Sequence, residues 1–124
     1  GSSAPLRGKK GSEYEGGVRV PFIAAWAKPD AKNKFQKKYP IAQNAVQLQQ
    51  GTVMDLYPTI LSVAHVKAPK HYALDGADLK KLFQGKEDKK HRDDFLMHFP
   101  HGEHRANYFT TYRKGDWKVR AEAA

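Results

Sequence analysis

The first seventeen residues read as a loop, with no long regular element at the start of this chain. Between Pro5 and Gly17, PLRGKKGSEYEGG, four glycines interrupt any helical or strand period. The sequence then turns abruptly apolar over Val18–Trp26, VRVPFIAAW. A glycine-rich loop lets backbone approach a ligand closely and adopt positive φ. It carries Lys10, whose ammonium is a compact point charge with three donors. By residue type alone this is a loop suited to an oxyanion near a strand edge. The apolar run fits a strand buried on both faces of an α/β sheet. Pro21 cannot donate to a ladder, which points to an edge strand or a bulge there.

Downstream, Lys28, Lys32, Lys34, Lys37 and Lys38 fall within eleven positions beside Pro29 and Pro40. They read as a basic surface loop or as a patch that steers polyanions. A glutamine-rich stretch, Gln43–Gln50, follows. Asp55 is placed to cap a helix over Leu56–Ala64, with Pro58 tolerated in its first turn. Leu56, Ile60 and Val63 recur at helical spacing and are expected to face a core. Asp75-Gly76 marks a turn. Asp78 starts a short helix, Leu79–Phe83, closed by Gly85. After the mixed-charge run 86–94, Phe95–Phe99 and Tyr108–Tyr112 read as strands, and 114–116 as a hairpin turn into Trp117–Val119.

The formal net charge of +9 favours polyanionic partners. Fourteen aromatics, six Tyr, six Phe and two Trp, argue against a disordered chain. With no cysteine, disulfides and thiolate metal sites are excluded. No apolar stretch approaches the ~20 residues needed to span a bilayer.

The string PLRG-K-KGS-E-YEGG-V-RVP-F-I-AA-W resembles a segment of the formylglycine-dependent sulfatases, roughly N-x-P-L-R-G-G-K-G-S-x-Y-E-G-G-x-R-V-P-x-I-x-x-W-P-G. Three later landmarks fit in order: VMDLYPTILSVA at 53–64, LDGADL at 74–79 and RKGDWKV at 113–119. The resemblance implies a C-terminal portion of a sulfatase of the arylsulfatase type, within the alkaline-phosphatase-like superfamily. The implied fold class is α/β to α+β. Residues 1–66 would close the large α/β domain with a strand and a helix, and 67–124 would begin a small antiparallel α+β subdomain. The family's C/S-x-P-S/T-R formylglycine motif is absent from this chain. The family's D-N calcium pair lies just upstream of P-L-R-G-x-K. Calcium and formylglycine are therefore expected on the parent protein and not on this chain, which is expected to hydrolyse no sulfate ester alone.

Carried over by position, Lys10 matches the family lysine that contacts the substrate sulfate, where it would neutralise charge on the sulfuryl oxygens. Lys9 departs from the pattern, which has a small residue there. Glu15, Gly16, Gly17 and Arg19 match E-G-G-x-R. A structural role is expected for them, with Glu15 and Arg19 paired. A general-base reading of Glu15 requires substrate geometry that spacing does not supply. His101, His104 and Arg105, in MHFPHGEHR, are candidate contacts to sugar hydroxyls, a carboxylate or a second sulfate. They read equally as surface residues. Pro100 and Gly102 prevent a helix that would gather His98, His101 and His104 round a metal. His65 is expected to complement its helix C-terminus.

The implied substrate is a sulfate monoester, with a carbohydrate sulfate favoured by the basic surface and the histidines. Expected partners are that glycan and the N-terminal portion of the sulfatase. Self-association through an exposed strand edge is a further expectation. A periplasmic, secreted or lysosomal setting follows from the family. Two other classes stay open: a non-enzymatic basic module for sulfated glycan or nucleic acid, and a phosphoryl-transfer relative on the same fold. Nucleic acid is disfavoured because the aromatics lie in apolar runs and not beside basic clusters.

Overall fold

The computed structural model describes residues 2–100 and 108–122. Contacts cluster into two units. One is built from the two ends of the chain, Gly1–Phe22 and Arg92–Ala124, and the other from Ile23–His91. The division after residue 66 expected from the resemblance concerns the parent fold; within this chain, contacts group differently.

In the first unit, β1 (Asp94–Phe99), β2 (Phe109–Lys114) and β3 (Trp117–Glu122) form an antiparallel sheet in the order β1-β2-β3. The strands expected at 95–99, 108–112 and 117–119 are present: the first begins one residue earlier, the second runs 109–114, and the third continues three residues further. Alternation sorts the side chains by face. Phe95, Met97, Phe109, Thr111, Lys118 and Arg120 share one face by register, and Phe109 and Thr111 are buried there. Phe99 stacks on Phe109 with ring centroids 5.0 Å apart. The opposite face carries Leu96, Tyr112 and Val119 in one cross-strand row, all exposed.

The N-terminal loop of this unit holds one helical turn, α1 (Glu15–Val18). The strand expected over Val18–Trp26 is not formed. Residues 19–26 carry no regular secondary structure, and Val20 and Ile23 are largely exposed. An apolar run becomes a strand only where a neighbouring strand accepts its ladder, and Pro21 withholds a donor from any such ladder.

The second unit contains α2 (Lys34–Lys38), a 3₁₀ turn (Val53–Asp55) running into α3 (Leu56–Ala64), and α4 (Lys80–Phe83). Helix α2 was not foreseen: Asn33 caps it, its Oδ1 accepting from the N–H of Phe35 and of Gln36. Helix α3 spans the expected residues, but its cap lies a turn earlier than Asp55. The Asp55 carboxylate reaches back to the Thr52 N–H at 2.6 Å and the Thr52 hydroxyl at 3.1 Å, the carboxylate half of a capping box. Asp55 is fully buried and also accepts from the Ala77 N–H at 2.8 Å. One turn on, buried Thr59 donates to the Asp55 carbonyl and accepts from the Leu79 N–H. Gly76 abuts the Met54 carbonyl so closely that a Cβ would not fit. These contacts explain why D-x-x-P-T and D-G-x-x-L occur together: the polar face of α3 seats the 76–79 segment.

That arrangement also corrects the expected core face. Asp55 and Thr59 turn inward, so Ile60 faces solvent at 63% exposure, while Leu56 and Val63 are half-buried. The core here is Tyr39, Leu79 and Leu82. The Tyr39 hydroxyl donates to Asp78 at 2.8 Å, and Asp78 also accepts from the Lys80 N–H at the start of α4. Burial and the Asp78 carboxylate push the Tyr39 phenol well above its ordinary range. His65 acts as a left-handed C-cap with φ 56°, its N–H bonded to the Leu61 and Ser62 carbonyls, and its ring meets Phe35 edge-on. The buried His91 ring lies 3.6 Å from the Asp55 carboxylate, and neither ring nitrogen has a hydrogen-bond partner among the described residues.

Candidate functional site

Residues 7–17 close on themselves. The Gly16 N–H donates to the Arg7 carbonyl at 2.7 Å, joining the two ends of the loop. Inside it, Lys9-Lys10-Gly11-Ser12 forms a turn. The Ser12 N–H donates to the Lys9 carbonyl at 3.0 Å, and the Lys9 N–H donates to the Ser12 hydroxyl at 3.2 Å. Gly11 sits at φ +90° in the third position, the signature of a type II turn, and only glycine adopts that conformation without strain. Lys10 therefore stands at the tip. It is exposed and makes no hydrogen bond or ion pair with a described residue.

The Gly16-Gly17 pair is explained by close approach. A Cβ on Gly16 would meet the carbonyls of Gly8 and Arg7, and one on Gly17 those of Ser12 and Lys9. Any side chain here would push apart the strands of the loop that present Lys10.

Two acid–base contacts pin this loop to β3. Lys118 Nζ donates to the Glu15 carboxylate at 2.9 Å and to the Glu13 carbonyl at 2.6 Å. Arg120 donates to the Glu13 carboxylate and, at 2.9 Å, to the Tyr14 hydroxyl. The Arg7 guanidinium lies over the Tyr14 ring, 3.9 Å from its centroid. Burial pushes both carboxyls up. For Glu15 this is outweighed by the Lys118 hydrogen bond and charge, with Arg113 and Arg19 adding to it. For Glu13 it is outweighed by its own backbone N–H and by Arg120 and Arg7. Both carboxyls end below their ordinary value and are ionised at neutral pH.

Sequence reasoning paired Glu15 with Arg19. The structure pairs it with Lys118, 103 positions away, while Arg19 is exposed and its N–H caps α1 by donating to the Glu15 carbonyl. Arg19 is the residue at which α1 ends and the backbone turns extended, φ −79° and ψ 129°, and the Glu15 carboxylate is taken by Lys118 instead. Glu13, Tyr14, Lys118 and Arg120 were not singled out from sequence. The available signal was the W-K landmark at 117–118, which supplies the lysine that grips Y-E-G-G. His101, His104 and Arg105 lie outside the described residues. Among the described residues no group of three or more His, Asp or Glu could hold a metal ion. No described helix is long and apolar enough to cross a membrane.

A glycine-built lysine loop locked to an antiparallel sheet, with the D-x-x-P-T helix and D-G-x-x-L turn between the two in sequence, defines the class: this chain belongs to the sulfatases and corresponds to a C-terminal portion of them. It is 30% identical to mouse (Mus musculus) steryl-sulfatase over 99 residues, covering 80% of this chain and 14% of that protein. It is 34% identical to pig (Sus scrofa) N-acetylgalactosamine-6-sulfatase over 115 residues, covering 89% of this chain and 20% of that protein. A sulfatase of Formosa agariphila is 36% identical over 107 residues, covering 80% of this chain and 17% of that protein. The chain thus spans under a quarter of the length of these relatives. No family model matches it.

Proposed function

We propose that this chain supplies the sulfate-gripping lysine of a sulfatase, and that the whole protein hydrolyses sulfate monoesters of a carbohydrate. The observation that carries this reading is the placement of Lys10 at the tip of a self-closed glycine turn, exposed and without a described partner, on a loop clamped by Lys118 and Arg120. A turn held so presents its ammonium to an anion, and charge placed where negative charge develops is often the largest catalytic term. Lys10 would hold a sulfuryl oxygen as the ester bond to sulfur breaks. Its contribution is charge stabilisation and orientation; it moves no proton. Calcium and formylglycine, implied by family, would supply the second charge anchor and the nucleophile from residues elsewhere in the parent. A carbohydrate substrate is supported by the likeness to N-acetylgalactosamine-6-sulfatase. His101, His104 and Arg105 remain proposed substrate contacts, and the lysosomal, secreted or periplasmic setting remains a proposal by kinship.

The test is Lys10→Met in the full-length enzyme, assayed on an aryl sulfate. Loss of one preorganised donor to a developing oxyanion costs about 10²–10³ in kcat. A kcat within threefold of wild type overturns the assignment. The isolated 124-residue chain is expected to show no turnover of the same substrate.

A further inference from the structure

We propose that residues 28–38 and the cleft beside them form a second anion site, one that holds a sulfated glycan chain; the choice of glycan rests on the carbohydrate-sulfatase reading above. Five lysines lie within this stretch against one acid, Asp30. All five are exposed, and none forms an ion pair with a described residue. One oxygen of the lone carboxylate is engaged locally, accepting from the Lys32 N–H at 2.8 Å.

What separates this from a solvated loop is how rigidly it is built. Gln36 braces the loop from α2: its side-chain oxygen accepts from the Asp30 N–H at 2.8 Å and its amide donates to the Lys28 carbonyl at 2.9 Å. Phe35 ties α2 to its surroundings, meeting both Trp26 and His65 edge-on. On the same helix, Lys34, Lys37 and Lys38, at positions i, i+3 and i+4, share one side. A cleft of about 600 Å³ runs alongside, lined by Trp26, Gln36, Lys37, Gln43 and Asn44 among others. Amides suit sugar hydroxyls, an indole suits the apolar face of a pyranose, and lysines at the rim suit sulfates. The Trp26 indole is itself fixed, donating to the Tyr39 carbonyl at 3.2 Å. A nucleic acid would need aromatics placed for successive bases, and the cleft offers one indole.

The experiment titrates the full-length protein with a 6-sulfated chondroitin hexasaccharide, its desulfated counterpart, and an oligothymidylate of equal charge, at 50 and 200 mM salt. The variant is Lys32→Ala/Lys37→Ala/Lys38→Ala. The sulfated hexasaccharide is expected to bind the variant at least tenfold more weakly, with the log–log salt slope flattened by about 2. Turnover of a small aryl sulfate is expected to stay at wild type. Unchanged affinity in the variant overturns the proposal, as does equal binding of the desulfated sugar. Oligothymidylate binding as tight as the hexasaccharide reassigns the platform to nucleic acid and equally overturns it. Failure of the Lys10 assignment would show separately, in aryl sulfate turnover by Lys10→Met, a readout that the lysine triple variant is expected to leave at wild type.

Discussion

Gly17→Ala places one methyl group where the structure leaves no room for it, and the size of the conflict sets the outcome. The new Cβ would lie 2.8 Å from the Lys9 carbonyl oxygen and 2.7 Å from Ser12 Oγ, with the Ser12 carbonyl oxygen nearer still, whereas ordinary Cβ contacts begin at 3.4 Å. The Lys9 carbonyl must therefore retreat by more than half an ångström, and the Ser12 carbonyl by more. These two residues close the turn that carries Lys10. Displacing a charge-bearing group by about 1 Å costs on the order of 10²-fold in rate, and overpacking costs about 1–3 kcal/mol of stability. In the full-length enzyme, kcat on an aryl sulfate is expected to fall 30- to 300-fold by this argument, while Tm falls by only a few degrees. Gly51→Ala is the control, since its Cβ meets Leu79 at an ordinary 3.4 Å. If Gly17→Ala keeps wild-type kcat, the close-packed loop is not what positions the lysine, and the reasoning fails.

Further outcomes follow from the clamp and from the polar face of α3. Lys118→Met removes the partner that depresses Glu15; a depressed carboxyl stabilises above its ordinary value of 4.5 and loses that contribution as pH falls through its folded value. The stability gap between wild type and variant, about 1 kcal/mol at pH 7 for so partly exposed a pair, is expected to narrow below pH 4.5 in thermal melts, leaving only the share that comes from the Glu13 carbonyl bond. A gap that stays constant to pH 3 would refute the pairing. Asp55→Ala strands the Thr52 and Ala77 donors in the interior and is expected to cost about 3 kcal/mol or more, read as a lowered urea midpoint. Tyr39→Phe is expected to cost about 1–2 kcal/mol through the lost Asp78 bond. His91→Leu is expected to be neutral or stabilising, because its ring nitrogens are buried without hydrogen-bond partners; a loss above 2 kcal/mol would show that the Asp55 contact is a true ion pair.

Local chemistry was legible where the deciding contacts are short in sequence. Helix α3 declared itself through Pro58 and its apolar spacing, α4 through Asp78 and Gly85, and the hairpin through Gly115-Asp116. The lysine loop declared its glycines but not their reason, since that lies in carbonyls of the same loop folded back on them. Ile60 was misplaced because period alone cannot tell that two polar residues, Asp55 and Thr59, would claim the inward face by satisfying backbone donors 20 or more positions away. Val18–Trp26 misled for the converse reason: β propensity expresses itself only against a partner strand. Helix α2 hid among lysines, with the Asn33 cap as its sole local mark. The Glu15 partner lay beyond any window of sequence, on the final strand.

That separation has a consequence for how the protein is made. During synthesis the Lys10 turn leaves the ribosome about a hundred residues ahead of the lysine and arginine that fasten it. At ~5–20 residues per second this is an interval of roughly five to twenty seconds. Through that window a bare cationic loop is presented to anionic surfaces and proteases, and a nonsense lesion between residues 18 and 118 would release a nascent chain whose Lys10 turn is never fastened.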